Sequence, residues 1–139
     1  MPLAVVTRTL GATPEALWSC VRAFGDLRWI PGDVEVEVRG EGVGQERIVS
    51  HSGRSVVERL TALDEATRTL RYTVVTGNPF PLSDYEATIA VSDDGGRGHI
   101  SWSGRFETDA DDEDIARGLE KRYAGMIRWI EAFLTTART

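Results

Sequence analysis

Tyr85-Glu86-Ala87-Thr88-Ile89-Ala90-Val91 and, after the turn Asp93-Asp94-Gly95-Gly96, His99-Ile100-Ser101-Trp102-Ser103-Gly104-Arg105-Phe106 decide the reading of this chain. Tyr85, Ala87, Ile89 and Val91 share one face of the first run, and Ile100, Trp102, Gly104 and Phe106 share one face of the second. Glu86, Thr88, His99, Ser101, Ser103 and Arg105 share the other face. A period of two with one apolar and one wet face is the signature of antiparallel strands that cover a core on one side only. Leu70-Arg71-Tyr72-Thr73-Val74 repeats the pattern upstream. Outward from there, turn-rich separators divide residues 33–106 into six strands: Val34–Arg39, Gln45–His51, Arg54–Leu63, Thr69–Val75, Asp84–Val91 and His99–Phe106. Most separators are hairpin length, which favours a meander.

The flanks supply the cover. Downstream, Ile115, Leu119, Tyr123, Ile127, Ile130 and Leu134 recur at helical spacing, with Met126 and Phe133 beside them. A helix of this extent spans about 37 Å, enough to cross the sheet. Upstream, residues 3–10 form a weak strand, and Thr13-Pro14-Glu15 reads as an N-cap and first turn. A short helix is expected over 14–22 with Leu17, Val21 and Phe24 inward and Trp18 flanking. A second is expected over 24–30, stopped by Pro31. The expected architecture is α+β: a curved seven-stranded antiparallel sheet gripping a long C-terminal helix, with two short helices after the first strand.

Composition narrows the function classes. The chain has 139 residues, 41% hydrophobic and 27% charged. That is the size of one domain spanning 1–139, able to bury about two-thirds of its unfolded surface without a staple. One cysteine, Cys20, and two histidines exclude a disulfide and a Cys-rich metal or redox site, so no cofactor or metal is expected. A net charge of −6 disfavours nucleic acid and anionic membranes as partners. No basic leader or run of 18 apolar residues is seen, so a soluble, cytoplasmic protein is expected.

Several segments carry a resemblance. Phe24-Gly25-Asp26-Leu27-Arg28-Trp29-Ile30-Pro31-Gly32, Gly42-Val43-Gly44-Gln45-Glu46-Arg47 and Val57-Glu58-Arg59-Leu60-Thr61-Ala62-Leu63-Asp64-Glu65 are three of them. Leu70-Arg71-Tyr72, Pro81-Leu82-Ser83-Asp84-Tyr85 and Trp102 follow. Together they make almost the whole chain resemble a small bacterial polyketide cyclase/dehydratase-like member of the START/Bet v1-like (SRPBCC) superfamily, more distantly the plant abscisic acid receptors. The resemblance implies a helix-grip fold with a cavity between sheet and long helix that takes one hydrophobic small molecule, lipid-like, aromatic or polyketide. The superfamily contains carriers, receptors and enzymes, so it does not assign one activity.

Within that frame Glu58 shares strand parity with Val56 and Leu60 and is expected to face the cavity. Two readings stand. An unbalanced carboxylate there is raised in pKa and suited to ligand contact, as the matching glutamate of the plant receptors contacts ligand through water. A carboxylate paired with Arg47 of the preceding strand is instead a buried structural ion pair. Tyr72, Tyr85 and Trp102 fall on successive apolar faces, as core packing or as polar tips orienting a ligand. His51 is a candidate acid–base group at a strand end, or a solvated turn residue. Gly77-Asn78-Pro79-Phe80-Pro81-Leu82 is an unusually apolar connection, a lid or a packed loop. Trp29, Tyr123, Met126 and Ile127 are expected along the remaining walls.

The expected function is binding of a hydrophobic molecule. The alternative is a cyclase or dehydratase in which Glu58, Tyr72, Tyr85, Arg47 or His51 moves a proton. A ligand-gated protein-interaction module is a third reading. Other motifs carry less. Gly40 to Gly44 and Gly95 to Gly98 join strand to strand and cannot present helix-terminal amides to a phosphate. The acidic run Asp109 to Asp114 lacks the glycine of a calcium loop and reads as a helix cap. No nucleophile elbow accompanies Cys20.

Overall fold

The computed structural model describes residues 2–136. Strand β1 (Leu3–Thr9) leads into helix α1 (Pro14–Arg22), followed by β2 (Glu35–Arg39), β3 (Glu46–His51), β4 (Arg54–Asp64), β5 (Thr69–Thr76), β6 (Asp84–Asp94), β7 (Arg97–Glu107) and helix α2 (Asp112–Thr136). The seven strands form one antiparallel sheet in the order β1-β7-β6-β5-β4-β3-β2, so the first strand closes beside the last. The six expected strands appear in place, and the inward alternation of β6 and β7 holds: Tyr85, Ala87, Ile89, Val91, Ile100, Trp102 and Phe106 are all buried.

Helix α1 starts where Thr13 Oγ1 accepts the Ala16 amide at 3.1 Å, with Pro14 in the first turn. Its Leu17, Trp18 and Val21 are buried. The Trp18 indole donates to Glu65 at 2.7 Å, and Glu65 also pairs with Arg22, which ties the helix to the β4–β5 turn. The long helix is capped by Asp111, whose carboxylate accepts the Asp114 amide at 3.0 Å. Three acidic residues occupy its first turn, where they complement the helix dipole. Ile115, Leu119, Tyr123, Ile127 and Ile130 are buried along one stripe against the sheet.

The second short helix is a correction. Residues 24–30 form successive turns rather than a helix, with Asp26 N bonded to Ala23 O and Ile30 N to Leu27 O. Two side chains take over backbone groups that a helix needs. Asp26 accepts the Arg28 amide, and the Phe24 carbonyl accepts Arg47 Nη1 from β3 at 2.8 Å. The segment is therefore held by long-range contacts that bury Phe24, Leu27 and Trp29.

Two irregularities shape the sheet around its interior. Register shifts in the β4–β5 ladder fall between Val57 and Glu58 and between Leu60 and Ala62. The second switches parity, so that Leu60 and Leu63 both pack against the core. The β5–β6 ladder runs only from Thr69↔Ala90 to Tyr72↔Ala87. Beyond it the strands part, bridged by Thr73 Oγ1 donating to the Tyr85 carbonyl at 2.6 Å. No helix among the described residues is long and apolar enough to cross a membrane.

Candidate functional site

A cavity of about 70 Å³ lies between β3–β5, the 24–30 segment, the loop before β6 and α2. Its floor carries an ion pair. Arg47 and Glu58 are direct cross-strand partners, and Arg47 Nε donates to Glu58 Oε1 at 2.7 Å. Both side chains are nearly out of solvent, at 9% and 15% exposed. The Arg47 guanidinium also lies over the Phe24 ring at 4.0 Å and near the Tyr72 ring at 5.3 Å. Glu58 thus lines the cavity as expected, but as the carboxylate paired with Arg47 and not as an unbalanced one.

Above the ion pair sit the chain's three tyrosines. Tyr85 and Tyr123 share a hydroxyl–hydroxyl hydrogen bond, and the Trp102 indole donates to the Tyr72 hydroxyl at 3.1 Å. Trp102 stacks on Tyr123 at 5.5 Å. Space for these rings comes from a row of small residues across three strands, Ala4↔Gly104↔Ala87, which ends at Tyr72 on the fourth. A Cβ on Gly104 would collide with the Tyr123 hydroxyl and come within 2.9 Å of Tyr85 Cε1.

Burial pushes all three phenols well above their ordinary pKa of 10.0, reinforced at Tyr72 by Tyr85 and the Glu58 charge, and at Tyr85 by Tyr123. An acid whose folded pKa is raised keeps its proton after the unfolded chain has begun to lose it, at about pH 10. Native stability therefore falls as pH rises past that value. The chain has three tyrosines in all, so the test is direct. The tyrosinate absorbance band is expected to stay absent up to about pH 10 and then to grow cooperatively with unfolding, followed in parallel by circular dichroism. Graded ionisation of a folded protein centred near that pH contradicts the burial.

The mouth is formed by the connection 77–82. Gly77, at φ +81°, faces the Ser55 carbonyl so closely that a Cβ would clash with it. Asn78 Oδ1 caps the Phe80 amide at 3.0 Å, and Phe80 packs on Gly118 of α2, where a Cβ would sit 2.6 Å from the ring. Thr108 anchors the far end by donating to the Pro81 carbonyl at 2.7 Å. The exposed Arg122 of α2 borders the opening.

Of the residues singled out from the sequence, Trp29, Arg47, Glu58, Tyr72, Phe80, Tyr85, Tyr123 and Met126 line this cavity. Trp102 instead lines a void of about 10 Å³ behind Tyr72. Ile127 is buried and lines neither. His51 is exposed outside the cavity, its Nδ1 3.0 Å from the Asp33 carbonyl, because it ends β3 at the hairpin. Val49, Val56, Val74 and Leu119 complete the apolar wall. Val56 shares parity with Glu58, a signal already in the sequence; Arg122 carried none, since it stands outside the apolar stripe.

A long helix gripped by an open seven-stranded antiparallel sheet, with the cavity between them, is the Bet v1-like helix-grip architecture. Residues 1–135 match the family described as "Polyketide cyclase / dehydrase and lipid transport", and the chain belongs to it. Among solved structures it is similar to the protein XoxI of Bacillus cereus, at 20% identity and TM-score 0.83, covering 100% of this chain and 99% of that one. It is also similar to Ara h 8.0201, at 22% identity and TM-score 0.76, covering 96% and 97%. Norcoclaurine synthase of Thalictrum flavum, in complex with dopamine and hydroxybenzaldehyde, is 19% identical with TM-score 0.76, covering 96% and 86%. At these identities the likeness concerns the fold. No curated protein matches the chain significantly.

Proposed function

We propose that this protein binds one hydrophobic small molecule, lipid-like, aromatic or polyketide, in the cavity between sheet and α2. The observation that carries the reading is the lining. Leu27, Trp29, Val49, Val56, Val74 and Met126 present apolar surface, while a few polar groups converge at one end. The volume of about 70 Å³ is well below the roughly 300–1,000 Å³ of a typical small-molecule pocket, so ligand entry requires Phe80 to leave Gly118 and the 77–82 connection to act as a lid. Binding is preferred to acid–base catalysis because Glu58 is engaged by Arg47, the phenols hold their protons tightly, and His51 stands outside.

Native mass spectrometry of gently purified protein, with extraction of any retained compound, identifies a natural occupant. A titration with N-phenyl-1-naphthylamine tests the cavity itself. The dye is expected to bind one-to-one with enhanced fluorescence, and Val56→Phe, which fills the cavity, to weaken it at least about tenfold, the equivalent of about 1.4 kcal/mol. Dye uptake that is absent, or indifferent to Val56→Phe, overturns the reading.

A further inference from the structure

Resting on that ligand-binding reading, we infer that the cavity selects an uncharged molecule through a carbonyl-type acceptor oxygen, received by the Tyr72 hydroxyl and the spare proton of the Tyr85–Tyr123 pair, and discriminates against carboxylates. Hydrogen-bond accounting leads there. An indole N–H only donates, so in the Trp102–Tyr72 contact the Tyr72 oxygen is the acceptor. Its own proton has no acceptor among the described residues, although the residue is 2% exposed. Tyr85 and Tyr123 have two protons between them and one mutual hydrogen bond, which leaves a second uncommitted proton. Tyr72, Tyr85 and Tyr123 all line the same cavity. Buried donors without acceptors are costly, and a carbonyl oxygen with two lone pairs satisfies two of them.

Charge sets the second half of the preference. Arg47, the cation inside, is already balanced by Glu58. A carboxylate brought into this end of the cavity would add an uncompensated negative charge beside Glu58, at a large desolvation cost. Arg122, the other cation at the cavity, is felt electrostatically by Tyr85 and Tyr123, but it is exposed at the mouth, where water and salt screen its charge. The phenols remain protonated donors across the physiological range, as their raised pKa values require.

Three probes with the same ring separate the possibilities: acetophenone, ethylbenzene and benzoate, titrated against the whole protein by ligand-observed NMR. Acetophenone is expected to bind about tenfold tighter than either of the others, the scale of one buried hydrogen bond. In isotope-edited infrared spectra its labelled carbonyl stretch should shift to lower frequency on binding. Tyr72→Phe should narrow the acetophenone-to-ethylbenzene ratio and return the stretch toward its value in an apolar solvent; the infrared measurement on the unaltered protein stands even if that variant misfolds. Equal binding of acetophenone and ethylbenzene with an unshifted carbonyl overturns this inference while leaving the cavity a hydrophobic binder, its donors served by water. Benzoate as the tightest ligand overturns it as well. Failure of all three probes to bind removes this inference and the function proposed above together.

Discussion

Arg47→Met is expected to destabilise the protein by about 3–5 kcal/mol in urea denaturation, because it strands the Glu58 carboxylate in a nearly dry wall. Three contacts are lost together: the 2.7 Å hydrogen bond to Glu58, the 2.8 Å hydrogen bond to the Phe24 carbonyl, and the guanidinium over the Phe24 ring. Against a typical total of about 5–15 kcal/mol, such a loss brings the fold near its limit. The double variant Arg47→Met, Glu58→Leu removes both charges and is expected to recover most of the stability. A deficit of about 1–2 kcal/mol should remain, since nothing then satisfies the Phe24 carbonyl. Amide exchange localises that remainder: Asp26 and Ile30, whose turn hydrogen bonds follow Phe24, should exchange faster in both variants. A single substitution costing under about 1 kcal/mol would mean that the pair behaves as an exposed one.

The same guanidinium explains where the sequence misleads. Residues 24–30 have the apolar spacing of a helix, yet Phe24 O is claimed by an arginine twenty-three positions away, a partner no local pattern reveals. The strands of 84–107 were legible because one face is core and the other water, so period two survives intact. In β4 the register shift after Leu60 breaks that period, and Leu63 joins the core against its parity. At the site, strand parity was enough to bring Glu58, Tyr72 and Tyr85 together. How much room they leave was not legible, because that depends on ring orientations and on the seating of Phe80 at Gly118. His51 shows the same limit at a strand end, where a hairpin carries a residue of inward parity beyond the wall.

Gly104→Ala is expected to cost about 2–4 kcal/mol, combining overpacking with loss of the buried Tyr85–Tyr123 hydrogen bond. Backbone strain plays no part, since Gly104 is not among the positive-φ glycines. Its added methyl group collides first with the Tyr123 hydroxyl; Tyr123 Cζ lies farther away, at 3.3 Å from the methyl position. Removing that oxygen by Tyr123→Phe should therefore relieve the main clash. Tyr123→Phe alone should cost about 1 kcal/mol for its hydrogen bond. In the double variant Gly104→Ala, Tyr123→Phe the two costs should fall short of their sum by about 1–2 kcal/mol, a coupling that a double-mutant cycle in urea resolves. Rescue should be incomplete, because Tyr85 Cε1 still lies 2.9 Å from the methyl position. Strict additivity would show that the Tyr123 hydroxyl does not occupy the space left by the missing side chain. The row Ala4, Gly104, Ala87 would then not be what admits the tyrosine pair into the sheet's inner face.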